Sequence, residues 1–212
     1  EESKYKDYFI CSMVCANNDT PSRKCIELNL QAFSEFKKKY VNTILLLKTN
    51  MNGTTFFNTK YGIDIKTIID KLNLKNDIII IDKKINTENI INIYKRSHVL
   101  LHASAGEGFG VPIIEAQLYG CPVITTSTTA MPELTINGIS VVDTNTMFVS
   151  YDMMRQIPSV KSILEAMEMI YKRTCTQKKY FNKIDKNYIK ENFNYKKIAK
   201  KWIDYFKNNI NN

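Results

Sequence analysis

Two short stretches hold residue types and spacings suited to chemistry. The first, SAGEGFGVPIIE at residues 104–115, packs Gly106, Gly108 and Gly110 into five residues of a chain with only seven glycines. Glu107 lies inside the cluster and Glu115 eight residues later. Glycines let a backbone approach a bulky polar ligand and permit positive φ angles. Pro112 suits the first turn of a helix, where no backbone N–H is needed. Such a helix start offers free N–H groups and the positive end of a dipole, a setting for phosphates or sugar hydroxyls. Carboxylates repel phosphates but accept hydrogen bonds from vicinal hydroxyls. The second stretch, CANNDTPSRKC, delivers Arg23 and Lys24. Arginine presents a planar fork to phosphate oxygens and lysine a compact point charge. Cations, a hydroxyl-accepting carboxylate and an approachable backbone together suit a sugar nucleotide, a diphosphate between two hydroxyl-rich ends.

These stretches need a scaffold that brings them to one place. Apolar runs at Tyr8–Val14, Thr43–Lys48, Asp77–Ile81, His98–His102, Pro122–Thr125 and Ile139–Val142 read as strands. Most are continuous rather than alternating, as expected of strands covered on both faces. Between them lie helical patterns at Lys24–Lys39, Asp64–Leu72, Glu88–Lys95 and Pro112–Tyr119. In the first, Leu28, Ala32 or Phe33, and Phe36 share one side; Thr87 before Glu88 resembles a helix start. Strand then helix, repeated about five times, predicts an α/β fold with a doubly wound parallel sheet. In such a sheet ligands bind beyond the C-terminal strand ends. The Arg23–Lys24 turn and the glycine loop both follow strands, so both are expected at that edge. One domain spans residues 1–212, with an α/β core at about 8–143 and a helical C-terminal part at 144–212. That part is read as a loop through Tyr151 and Pro158, a helix Val160–Lys172, and basic helices within Gln177–Glu191 and Tyr195–Asn209. In the last, Ile198, Trp202 and Tyr205 or Phe206 form an apolar stripe, read as a packing surface.

Bulk properties narrow the class. At 212 residues the chain can bury roughly 70% of its unfolded surface as one domain. Its hydrophobic and charged fractions, 44% and 24%, are those of a soluble globular protein, and no apolar run is long enough to span a bilayer. The start, EESKYKDYF, has neither a secretory layout nor an initiator Met, which suggests a fragment of a longer chain. Five cysteines without a C-x-x-C pair point to free thiols in a reducing, cytoplasmic compartment. The net charge of +9 is concentrated: Lys178 to Lys207 holds ten lysines against Asp185, Glu191 and Asp204, a net of +7. Such a surface attracts anions generally, but no aromatic–basic pattern of an RNA-binding module accompanies it, so nucleic acid is not an expected partner.

The run EGFGVPIIEAQLYGCPVIT followed by AMPE resembles the donor-binding, C-terminal half of retaining GT-B glycosyltransferases of family 4 (group 1) type. The matching positions are Ser104, Glu107, Gly108, Phe109, Gly110, Pro112, Glu115, Ala116, Gly120, Pro122, Val123, Ile124, Pro132 and Glu133, and NNDTPSRK is similar to the family's diphosphate-binding loop. The likeness covers about residues 8 to 205. It implies that Arg23 and Lys24 hold the diphosphate and stabilise the departing nucleoside diphosphate. Glu115 would bind ribose hydroxyls. Glu107, with the backbone of Gly108, Phe109, Gly110 and Val111, would hold the donor sugar. The implied ligand is a UDP- or GDP-sugar, with no other cofactor and no bound metal. The acceptor-binding N-terminal domain is expected to belong to a longer chain, and membrane-linked acceptors in the family leave peripheral membrane contact open as an expectation. The sequence departs from the family pattern at His98, often Asp; at Ala103, often Pro; at Cys25, usually Gly; and in the adjacency of Arg23 and Lys24.

Other chemistries fit less well. His98 and His102 have the spacing of a helical zinc pair, but a strand separates them by about 13 Å. Glu107 and Glu115 as a glycosidase pair would not call for a cationic loop. Neither a P-loop nor a Rossmann dinucleotide motif is present. Two alternatives remain: a sugar-nucleotide epimerase of similar build, or a non-catalytic module binding a partner through its lysine-rich helices. Nucleotide binding separates the second from the transferase reading, and hexose transfer separates the first.

Overall fold

The computed structural model describes residues 4–150, 153–176 and 186–209. In chain order the elements are β1 (Phe9–Val14), α1 (Ile26–Lys39), β2 (Thr43–Lys48), β3 (Thr54–Phe56), β4 (Thr59–Tyr61), α2 (Ile65–Lys71), β5 (Ile78–Ile81) and α3 (Thr87–Arg96). There follow β6 (Val99–His102), α4 (Val111–Leu118), β7 (Val123–Thr126), α5 (Met131–Leu134), β8 (Gly138–Val141), β9 (Thr144–Ser150) and β10 (Met153–Pro158). Helix α6 (Val160–Tyr171) runs into a π-helical turn at Lys172–Thr176, and α7 (Lys186–Asn192) and α8 (Tyr195–Asn209) end the described chain.

Six strands form one parallel sheet in the order β5-β2-β1-β6-β7-β8. The continuous apolar runs are explained by two cores, one on each face. Cys11, Met13, Leu45, Leu47, Leu101 and Ile124 join residues of α1, α2 and α6 on one side. Leu100 and Val123 join Ile113, Ala116 and Met131 on the other. Neighbouring strand residues thus belong to opposite cores, as the two-residue period of a strand requires. On α1, Ala32, Phe33 and Phe36 are buried as expected and Leu28 is partly buried. The strand order reverses direction between β1 and β6, and the two candidate loops leave those two strands. A parallel sheet with helices on both faces therefore opens its switch point between them.

Four local features depart from the expectations. The segment after Asp143, expected as a loop in a helical part, forms the antiparallel hairpin β9–β10. Its register is held by side chains as well as backbone: Gln156 accepts from Thr144 Oγ1 at 3.0 Å and donates to Thr146 Oγ1 at 3.1 Å. A second hairpin, β3–β4, follows β2 and turns through Phe57 and Asn58, both at positive φ (45° and 61°). Two left-handed residues give the turn twist that a tight hairpin needs, usually supplied by Asn-Gly rather than Phe-Asn. MPEL forms the short helix α5. Finally, the apolar stripe of α8 is not a core surface. Among the described residues of that helix none is buried, and Trp202 is 53% exposed. The second core is closed instead by Ile189 of α7. The expected helix within Gln177–Glu191 appears from Lys186; residues 177–185 lie outside the described residues. No helix among the described residues is long and apolar enough to cross a membrane.

Two polar residues tie the layers. Gln117 of α4 is buried and fully engaged, donating to Ile113 O (2.7 Å) and Leu134 O (2.8 Å) and accepting from the N–H groups of Ile136 and Asn137. His98, leading into β6, stacks on Phe9 and accepts the Ile10 N–H through Nδ1 at 2.9 Å. Burial lowers the His98 pKa, in keeping with an Nδ1 that must stay unprotonated to accept. The unfolded chain then binds the proton more readily, so stability is present above the ordinary histidine pKa of about 6.5 and falls as the pH drops below it. Melting temperature is expected to decline between pH 7 and pH 5. His98→Asn, which keeps an acceptor without the titration, should flatten part of that decline; an unchanged pH profile in the variant contradicts this assignment. Gln117→Leu strands two buried N–H groups and should cost about 2–5 kcal/mol in chemical denaturation; a loss under 1 kcal/mol would show the site repacks.

Candidate functional site

The turn after β1 and the loop after β6 are bonded to each other. Ala105 N–H donates to Arg23 O at 2.8 Å, and Ser104 Oγ–H donates to the same carbonyl at 2.9 Å. Asn29, buried in α1, bridges with its amide to Ala103 O and Cys25 O at 2.9 and 2.8 Å. Cys25, at φ 47°, takes the left-handed position before α1, a conformation that favours glycine. Farther back, buried Asn17 exchanges two hydrogen bonds with Ile63 and receives support from Asn50, and Thr20 clips onto Gly62. The segments flanking the hairpin β3–β4 thereby brace the cationic turn.

Arg23, Lys24 and Glu107 meet in one charged cluster. Lys24 Nζ lies 2.5 Å from Glu107 Oε1, and Arg23 Nη1 lies 3.1 Å from Glu107 Oε2 and 2.6 Å from Gly106 O. Asp19 faces the other edge of the guanidinium at 3.7 Å. The backbone of Glu107 is held too, its N–H donating to Thr129 Oγ1 at 3.0 Å. His102, which ends β6, places Nε2 3.0 Å from Glu107 Oε1. A carboxylate only accepts, so Nε2 carries the proton. Burial alone would push the Glu107 carboxyl up, but the His102 N–H and the Lys24 ammonium outweigh it and hold the group well below the usual carboxylate range. Burial lowers the His102 pKa and outweighs the pull of Glu107, so the imidazole is neutral at neutral pH.

The glycines do three different things. Gly110 stands at φ 82° before α4, and a Cβ there would come within 2.7 Å of Ile113 Cδ1, so position 110 needs glycine. Gly106 and Gly108 do not take positive φ. A Cβ on Gly106 would touch Thr129, whereas one on Gly108 would meet nothing within 4 Å. The loop surface at Gly108 is thus open to a ligand. Phe109 and Val111 are exposed on the same rim, and Pro112 opens α4 as expected. Glu115 stands apart from the cation cluster and accepts from Tyr94 Oη–H at 3.1 Å. Burial and then the Glu115 charge keep the Tyr94 phenol protonated for that bond. Glu115, Phe109, Val111 and Trp202 line a cavity of about 610 Å³ between α4 and α8.

The structure therefore brings Arg23, Lys24 and Glu107 into contact, sets Gly108–Val111 beside them, and holds Glu115 on the adjoining helix. Sequence reading did not single out His102, Thr129, Asn29 or Asn17 as parts of this site. His102 was legible in principle, since it ends a strand five residues before Glu107 on the sheet edge where ligands bind. Thr129 was not: its reach to the glycine loop depends on a left-handed turn (φ 52°) after β7. Among the described residues no group of three or more His, Cys, Asp or Glu side chains is arranged to hold a metal.

Comparison with known proteins places this chain in a family. The sequence pattern described as "Glycosyl transferases group 1" matches residues 13–180. Over 99 residues the chain is 26% identical to the O-antigen chain mannosyltransferase B of Escherichia coli, covering 42% of this chain and 26% of that protein. The chain thus spans about a quarter of that relative. Among solved structures, the C-terminal domain of a glycosyl transferase group 1 family protein from Francisella tularensis superposes with a TM-score of 0.63 at 18% identity, covering 89% of this chain and 90% of that one. Anabaena HepE, solved with UDP-glucose, superposes with a TM-score of 0.68 at 16% identity, covering 98% of this chain and 50% of HepE. The charged cluster and glycine loop lie within the matched segment, and the parallel sheet and C-terminal helices follow the superposed domain. The chain belongs to the glycosyl transferases group 1 family and has the fold of the C-terminal domain of its GT-B members.

Proposed function

We propose that this chain is the donor side of a retaining, metal-independent glycosyltransferase that moves a hexose from a nucleoside-diphosphate sugar to a saccharide, lipid or protein acceptor. The observation that carries the reading is the junction of Arg23 and Lys24 with Glu107 across two loops whose backbones are bonded to each other. Two cations presented at the C-terminal edge of a parallel sheet, beside the open surface of Gly108, suit a diphosphate. As the glycosidic bond breaks, negative charge grows on the leaving β-phosphate. Positive charge already in position stabilises that change without reorganisation, which is the largest contribution such a domain can make. Glu115 would accept from ribose hydroxyls while Tyr94 fixes its second oxygen. Glu107 and the backbone of Gly108, Phe109, Gly110 and Val111 would hold the sugar near its anomeric carbon. A UDP-sugar is the first donor to test, because HepE holds UDP-glucose; a GDP-sugar is the next. The acceptor would enter from a second domain facing this edge.

In the ligand-free cluster Glu107 occupies the cations that a diphosphate needs. Phosphates and the carboxylate therefore compete, and two or more phosphate charges prevail over one. A nucleoside diphosphate at a hundred times its Kd should stabilise the chain by about 2.7 kcal/mol, a rise in melting temperature of roughly 5–10 °C. Lys24→Ala should abolish the rise; a rise of the same size in the variant removes the phosphate role. Glu107→Ala should leave nucleoside diphosphate binding equal or several-fold tighter while weakening the sugar conjugate, whereas Glu115→Ala should weaken both. Calorimetry that finds equal losses for UDP and UDP-glucose in Glu107→Ala would contradict this division.

A further inference from the structure

Glu107 has three side-chain partners of two kinds. Lys24 and Arg23 are charged and partly exposed, with 14% and 33% of their side chains accessible, on a turn facing the crevice. His102 is neutral, 2% accessible, and rooted at the end of a central strand. A lysine or arginine can swing its charged tip to a phosphate by rotating about its long stem; an enclosed imidazole cannot. Binding a diphosphate therefore withdraws or shares the two cations and leaves His102 where it was. We propose that His102 is a positioning residue for the donor sugar: it holds the Glu107 carboxylate in place once the phosphates have drawn Lys24 and Arg23 away.

This rests on the donor-binding reading and assigns a division of labour within that site. Without His102, a Glu107 that loses its cations keeps only the bond from its backbone N–H to Thr129 Oγ1, and its carboxylate would turn toward the phosphates' counter-charges or solvent. With it, Oε1 stays pinned at 3.0 Å from a strand end, and Oε2 is released by Arg23 to face a sugar hydroxyl. The geometry explains why a buried imidazole N–H is aimed at a carboxylate that already has two cations. It also separates His102 from an ordinary core histidine such as His98, which serves the Ile10 backbone.

The test is isothermal titration calorimetry on this chain with UDP and UDP-glucose, and with GDP and GDP-mannose, using wild type, His102→Leu and His102→Gln. Glutamine keeps an N–H donor close to the Nε2 position; leucine removes it. The ratio of the Kd for the sugar conjugate to the Kd for its nucleoside diphosphate is expected to rise about tenfold in His102→Leu, with the diphosphate itself changed less than twofold. His102→Gln should return the ratio to within about threefold of wild type. If His102→Leu does not fold, His102→Asn, whose shorter amide does not reach Glu107, carries the same comparison. An unchanged ratio, or equal weakening of both ligands, overturns the positioning role while leaving the donor-binding reading intact. Failure of the wild-type chain to bind any of the four nucleotides overturns both.

Discussion

The arrangement depends on a single carboxylate. Glu107 enters a buried position only because an ammonium, a guanidinium and an imidazole N–H all converge on its two oxygens. An isolated charge taken out of water costs several kcal/mol, and only close, well-directed partners offset it. Those partners come from a turn and a strand end far apart in sequence, so the ion cluster forms only where the fold brings the turn after β1 and the end of β6 together. Two of the partners are also the groups a diphosphate would claim. The same contact that secures the ligand-free loop is therefore one that substrate must rearrange, and Glu107 must change partners without losing its place.

Everything around the cluster limits how far it can move. A parallel sheet brings successive strand ends to one edge, and the reversal of strand order between β1 and β6 opens a crevice there. Backbone bonds from Ala105 and Ser104 to Arg23 O close the two loops on each other, and Asn29 locks both to α1. Gln117 fixes α4 to the segment after α5, so the helix that follows the glycine loop is anchored at its far end. Hydrogen bonds hold the backbone of both loops, while the charge is carried on the long stems of Lys24 and Arg23, an arrangement that suits a site in which charge, rather than backbone, must move.

Much of this was readable in the sequence, for identifiable reasons. Six apolar runs, most of them continuous, matched six strands to within a residue or two, because burial on both faces of the central strands removes the polar alternation that marks a half-exposed strand. The glycine loop and the Arg23–Lys24 turn could be assigned to one edge because both follow parallel strands. The unread parts lack a local signal. The hairpin β3–β4 turns on Phe57 in a left-handed conformation, which bulky residues seldom take. The hairpin β9–β10 carries Thr–Gln cross-strand bonds, which leave no periodic mark in the sequence. Gly106 and Gly108 do not take positive φ, and at Gly108 the value lies in surface left clear rather than in backbone strain. The stripe on α8 has helical periodicity but lies beyond the core that α7 closes, and periodicity alone does not say what an apolar face meets. In the sequence His102 has only His98 at a recognisable spacing, whereas its partner in the fold, Glu107, is set by the course of the loop that follows β6.

The most direct measurement is a crystal structure of the chain with an intact nucleotide sugar. The account predicts the diphosphate between Lys24 and Arg23, the sugar against Glu107 and Gly108, and the Glu107–His102 contact retained at hydrogen-bond distance. A nucleotide seated elsewhere, for instance in the cavity beside Trp202 with the Lys24–Glu107 pair undisturbed, would contradict it.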